Sequence, residues 1–346
     1  MRHYLNFFFI LLSSVGISQT IDVITNLDHP LGMIINDNFL YYGESFGNKI
    51  SKFDLNEPGN GPELITDEVD YPIGLAINEN ELFIMERDVN RVAKLILTDP
   101  NPMLETVIEN LVNPATAYLY NDELYITGAE IGTISKFDIN SSNPIVENII
   151  DELSTPAGMV IINDILYFAE RSGEKISKID ISTPNPISVT VVDGLEGPFG
   201  LTLYNGELFF SEFDGNRVSK IDISNPNPIL EIVVEDVVQP AQITIFNDEL
   251  YIAEWGAGKI SKFNLNTFNL SEWGANDFIV WPNPVRDQLR LPKSLEISKF
   301  SIYNSTGQLI MGGKLEQTDK SIDVEPLVSG IYFLIVNKQI AKFSKN

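Results

Sequence analysis

The stretch Pro198-Phe199-Gly200-Leu201-Thr202-Leu203-Tyr204-Asn205-Gly206-Glu207-Leu208-Phe209-Phe210-Ser211-Glu212-Phe213-Asp214-Gly215-Asn216-Arg217-Val218-Ser219-Lys220-Ile221-Asp222-Ile223 decides the fold. Residues 200–204 alternate, as a half-buried strand does. Asn205-Gly206 is a strong hairpin turn signal. Residues 208–212 make a second strand, 213–216 turn the chain, and 218–223 alternate as a third. Asn225-Pro226-Asn227-Pro228 breaks that run, because proline cannot donate to a sheet ladder. Residues 230–234 read as a fourth strand.

The pattern recurs. Pro30, Pro72, Pro114, Pro156, Pro198 and Pro240 stand 42 residues apart. A second marker keeps the same step: Ile50-Ser51-Lys52, Val92-Ala93-Lys94, Ile134-Ser135-Lys136, Ile176-Ser177-Lys178, Val218-Ser219-Lys220 and Ile260-Ser261-Lys262. No stretch has helical period. Four short strands in ~40–45 residues form one blade of a β-propeller. After the third strand of the sixth unit no apolar fourth strand follows, and residues 21–24 supply one from the other end of the domain. The expected fold is all-β: a six-bladed propeller closed by both of its ends, which removes two open sheet edges.

The repeats resemble known families. Pro198-Phe199-Gly200-Leu201, Leu208-Phe209-Phe210-Ser211-Glu212 and Asn216-Arg217-Val218 look like the NHL repeat. Leu250-Tyr251-Ile252-Ala253-Glu254 with Lys259-Ile260 looks equally like the YWTD repeat, although glutamate stands where both usually carry aspartate. The resemblance implies a six-bladed propeller and a binding role. The same shape is shared with SMP-30/gluconolactonase-like and strictosidine synthase-like enzymes.

The two ends carry other messages. Arg2, the apolar run at 5–12 and the small residues Gly16 and Ser18 before Gln19 read as a cleavable signal peptide, residues 1–18. The run is about half of the ~20 residues a membrane-spanning helix needs. The propeller is assigned to residues 19–273 and a Gly-Ala-Asn linker to 274–276. Residues 277–346 hold 7 acidic and 9 basic side chains, whereas 19–275 hold 41 and 13, so the net charge shifts from -28 to +2. Short alternating runs in this tail predict a small antiparallel β-sandwich. Trp281-Pro282-Asn283-Pro284, Gly307-Gln308, Leu327-Val328-Ser329-Gly330-Ile331-Tyr332 and Lys342-Phe343 resemble the type A C-terminal sorting domain of the type IX secretion system. That resemblance implies export through the periplasm, with the outer-membrane translocon and a sorting peptidase as partners. The protein would then be secreted or held at the cell surface.

Composition narrows the rest. With 23 basic and 48 acidic side chains the net charge is -25, which repels nucleic acid. There is no cysteine, and His3 and His29 are the only histidines, which argues against a Ser-His-acid triad or a thiolate metal site. The expectation is no cofactor, no metal and no membrane span.

Glu44, Glu86, Glu170, Glu212 and Glu254 each precede a basic residue by five positions: Lys49, Arg91, Lys175, Arg217 and Lys259. The third unit has Gly128 and Thr133 instead, losing both partners together. Cross-strand ion pairs explain this better than a ring of ligand-binding carboxylates. The inner strands carry no carboxylate, so a hard cation lacks ligands there. Asp28, His29, Asp70, Tyr71, Asn113 and Glu196 enter those strands and should meet at one mouth of the channel. Phe46, Arg87, Arg171, Phe213 and Trp255 lie on loops of the same face and read as exposed anchors, with Glu130 beside them. The favoured reading is a noncatalytic module binding a protein, peptide or glycan outside the cell. Two alternatives stay open: a lactonase-, esterase- or lyase-like enzyme acting at the channel mouth, and a structural surface protein.

Overall fold

Period-two alternation broken by short turns rich in asparagine, aspartate, glycine and proline leaves each repeat only hairpins, and adjacent hairpins bury their faces on one another. The computed structural model describes residues 20–265, 278–292, 300–304, 309–314, 320–336 and 339–346. Within the unit Thr20–Phe263 lie six four-stranded antiparallel sheets, the blades of a propeller. In the fifth blade the strands are Pro198–Tyr204, Glu207–Glu212, Arg217–Asp222 and Glu231–Val234. The sixth has Pro240–Phe246, Glu249–Glu254 and Lys259–Asn264, and its outer strand is Ile21–Thr25. Ile21 pairs with Lys262 and Thr25 with Lys259. The first strand of each blade packs on that of the next, and the sixth on the first, closing the ring. The predicted signal peptide, the linker 274–276 and the domain edge at residue 273 lie outside the described residues.

The inner strands approach one another closely. A Cβ on Gly200 would sit 2.5 Å from the Ala241 carbonyl oxygen, and one on Gly158 2.4 Å from that of Phe199. Glycine stands two residues after the proline in four blades for this reason. Thr116 takes that position in the third blade and donates its hydroxyl to the Ala157 carbonyl at 2.7 Å.

A further 42-residue marker fixes how blades join. Asn48, Asn90, Gly132, Glu174, Asn216 and Gly258 all have positive φ. The Asn48, Asn90 and Asn216 side chains accept the amides of Tyr71, Asn113 and Gln239 in the next blade, at 3.0, 2.7 and 2.9 Å. At Gly258 a Cβ would meet the Leu27 carbonyl oxygen at 2.6 Å, so glycine is needed there for space as well as for conformation.

The tail has its own core, formed by residues such as Val285, Leu289, Ile302, Leu334 and Phe343. Four strands, Phe300–Asn304, Leu309–Gly313, Gly330–Val336 and Gln339–Lys345, form one antiparallel sheet. Gln288–Arg290 pairs with Ser321–Asp323 in a second. The Asn283 side chain bonds to the backbone of Lys342 and Ser344, and Trp281 exchanges backbone bonds with Arg290. Tyr332 stacks on Phe343 at 5.6 Å and donates its hydroxyl to the Val328 carbonyl at 2.8 Å. Gly330 opens the strand that carries Tyr332, and Gly307 lies outside the described residues. Among the described residues no helix is long and apolar enough to cross a membrane.

Candidate functional site at the channel mouth

Six residues precede the six prolines: His29, Tyr71, Asn113, Thr155, Gly197 and Gln239. All have positive φ, between 45° and 64°. Left-handed backbone at a tyrosine or threonine is unfavourable, and such strain clusters where the surrounding structure over-determines it. Here it is over-determined by hydrogen bonds. The carbonyls of these six residues accept the amides of Ser45, Arg87, Ala129, Arg171, Phe213 and Trp255, at 2.9–3.3 Å. The mouth is therefore six backbone-paired positions, one pair per blade.

The repeated glutamates hold this ring in place. Glu44, Glu86, Glu170, Glu212 and Glu254 are all buried. Each accepts the amide of the residue sixteen positions earlier, at Asp28, Asp70, Ser154, Glu196 and Val238, at 2.6–3.0 Å. The ion pairs expected from spacing are present as well, with Lys49, Arg91, Lys175, Arg217 and Lys259. Burial pushes the Glu212 carboxyl up. The Arg217 guanidinium, the Ser219 hydroxyl and the Glu196 amide outweigh burial and hold it below the ordinary value. Sequence spacing revealed the ion pairs and missed the backbone clamp.

Aromatic rings join across blades above this frame. His29 lies 4.5 Å from both Phe46 and Trp255, centroid to centroid. Phe46 meets Tyr71 at 5.4 Å, and Trp255 meets Phe213 at 5.7 Å. Phe213 continues to Phe199 at 6.0 Å. Arg87 caps Tyr71 at 3.4 Å and Arg171 caps Phe213 at 4.3 Å. Seven of the eleven predicted ligand-binding residues are thus in one run: His29, Phe46, Tyr71, Arg87, Arg171, Phe213 and Trp255. Asp28 joins it through a 2.7 Å contact with His29 Nδ1. Glu196 is turned to Arg217 instead, at 3.2 Å. Asn113 lies on the third blade beside Glu130, and the Asp70 amide is held by Glu86.

One expectation needs correction. Phe213 is not an exposed anchor: only 6% of it is accessible, because Phe199, Trp255 and the Arg171 guanidinium cover it. Tyr71 is likewise buried, beneath Arg87. Phe46, one position further along its loop than Arg87, Arg171, Phe213 and Trp255 in theirs, is 52% exposed. Thr155, Gly197 and Gln239 were missed; their place before the repeated prolines was the available signal.

Beneath the mouth, Leu31, Ile73, Ala115, Ala157, Phe199 and Ala241 contribute one buried residue per blade to the apolar core. Further along the inner strands lies a channel of about 140 Å³, lined by glycines, Thr116, Tyr118, Thr202, Gln242 and Thr244. Among the described residues no cluster of three or more histidines, aspartates or glutamates could hold a metal ion.

Comparison with known proteins agrees with this architecture. Residues 279–346 match the family model described as the secretion system C-terminal sorting domain. The propeller is similar to virginiamycin B lyase from Staphylococcus aureus, at 19% identity and TM-score 0.53, over 71% of this chain and 98% of that one. It is also similar to a chain of the nidogen/laminin complex, at 17% identity and TM-score 0.58, over 66% and 89%. A third likeness is to regucalcin, a calcium-binding protein from Agrobacterium tumefaciens C58, at 12% identity and TM-score 0.56, over 72% and 93%. No curated protein sequence matches the chain. The protein is an exported six-bladed β-propeller. Its type IX sorting domain engages the secretion machinery and directs it through the periplasm to the cell surface or beyond.

Proposed function

We propose that the propeller is a noncatalytic module that binds an extracellular protein, peptide or glycan at its channel mouth. The observation that carries this reading is the run of rings in which buried Phe199, Phe213 and Tyr71 back Trp255, His29 and the exposed Phe46, with Arg171 on Phe213 and Arg87 on Tyr71. Aromatic and arginine side chains held rigidly at a concave surface are the usual anchors of recognition. The nidogen/laminin likeness supports the same use of the shape.

The lyase likeness and the close His29–Asp28 pair favour an enzymatic second reading, with His29 as general base. Metal content, together with a lactone and ester screen of the parent chain and His29→Ala, separates the two. The purified mature chain is exposed to calcium, magnesium, manganese and zinc, washed, and measured by mass spectrometry. The binding reading expects no stoichiometric ion. One ion per chain, lost in Asp28→Ala or Asp70→Ala, favours metal-assisted chemistry.

A further inference from the structure

We infer that the ligand of this mouth is a neutral glycan, an inference that rests on the binding reading above. The first argument is the state of the backbone. The amides of Asp28, Asp70, Ser154, Glu196 and Val238 are taken by glutamates, and those of Tyr71, Asn113 and Gln239 by asparagines. The six carbonyls before the prolines are taken by amides of the neighbouring loops. An extended peptide gains affinity by pairing with a run of open backbone groups. These positions offer none, so recognition at the ring falls to side chains.

The second argument is what those side chains are. Beside the Phe213 end of the aromatic run lies a polar pocket of about 410 Å³, lined by Thr155, Arg171, Ser172, Glu174, Glu196, Gly197 and Asp214. That volume is in the ~300–1,000 Å³ range of small-ligand sites. Donors and acceptors stand side by side in it: Arg171 Nη2 is 3.1 Å from Asp214 Oδ1, and the Thr155 and Ser172 hydroxyls are 2.8 Å apart. A sugar hydroxyl both donates and accepts, so it needs such adjacent groups. The apolar face of a pyranose needs a flat partner, and Trp255, half-buried on Phe213, leads from the pocket to the exposed ring of Phe46.

The third argument is charge. Arg87 pairs with Asp88, Arg171 with Asp214, and Arg217 with Glu212 and Glu196. The mouth cations are therefore already neutralised on a strongly acidic chain. An anionic glycan would meet net repulsion; a neutral one would not.

The test is calorimetric titration of the purified mature chain with neutral gluco-, manno- and xylo-hexaoses, and separately with a Lys/Arg-rich hexapeptide. Binding of at least one hexaose is expected, weakened about ten-fold or more by Trp255→Ala and by Asp214→Asn. Thermal melting of both variants confirms that they fold, and Arg171→Gln serves if Asp214→Asn does not. Hexaose binding unchanged in every variant overturns the site. Binding of the peptide alone overturns the glycan assignment and leaves the binding module standing. No binding by either probe overturns both.

Discussion

At the scale of the residue, two phenylalanines that look alike in sequence differ entirely in burial. Phe46 and Phe213 both follow a buried glutamate within two positions. One is half exposed, whereas the other is enclosed by the Phe199 and Trp255 rings and the Arg171 guanidinium. Phe213→Ala should cost about 3–5 kcal/mol of stability, the usual penalty for emptying a buried phenylalanine site. Phe46→Ala should stay within about 0.5 kcal/mol of the parent. Urea denaturation of the two variants measures the difference, and equal losses would refute the assigned burial. Loop position alone suggested exposure for both; the Phe199 ring and the Arg171 guanidinium, which cover Phe213 and not Phe46, distinguish them.

At the scale of the element, the buried glutamate joins strand to loop. Glu212 closes on Arg217 across the hairpin, receives the Ser219 hydroxyl and grips the Glu196 amide in the loop entering its blade. Hydrogen bonds to charged groups contribute ~1.5–3 kcal/mol, so Glu212→Gln should destabilise by at least that amount. The exposed-side pair Lys220–Glu207 is worth ~0.2–1 kcal/mol, and Glu207→Gln is the matched control. The sign with pH follows from the depressed carboxyl of Glu212. Its contribution is complete above the ordinary value of 4.5 and is lost as pH falls through the lower, folded value. Acid titration of stability should therefore be shallower in Glu212→Gln than in the parent; an equal slope would assign the acid response to other carboxylates. Spacing alone exposed the Glu–Arg partnership. The third member is a backbone N–H, which every residue but proline carries, so no residue type announces it.

At the scale of the whole molecule, closure depends on five residues. Ile21–Thr25 supplies the outer strand of the sixth blade, pairing with Lys259–Asn264 from the other end of the propeller. Asp22 adds a 2.7 Å ion pair to Lys259 across the seam. A mature chain beginning at Asn26 should melt at a lower temperature and lose cooperativity, because a closed ring becomes an open stack with an exposed edge. Calorimetry of the truncated and complete chains reads this directly, and identical transitions would show that the seam does not hold the ring.

The architecture is legible along the chain: a 42-residue period, four strands per period, six blades, closure by the N-terminal strand, and a C-terminal sorting domain. These are legible because alternation, turn residues and repeated prolines act over a few neighbouring positions, and repetition multiplies the signal six-fold. The sequence also pointed to seven residues of the aromatic run, since equivalent positions of a ring must meet, but not to Thr155, Gly197 and Gln239 in the same ring. Tertiary structure decided what those residues do there. Tyr71 and Phe213 are covered, Phe46 is open, Glu196 turns to Arg217, and five glutamates clamp loops sixteen residues away. Burial and backbone satisfaction depend on atoms brought together from different blades, and neither leaves a pattern along a single chain.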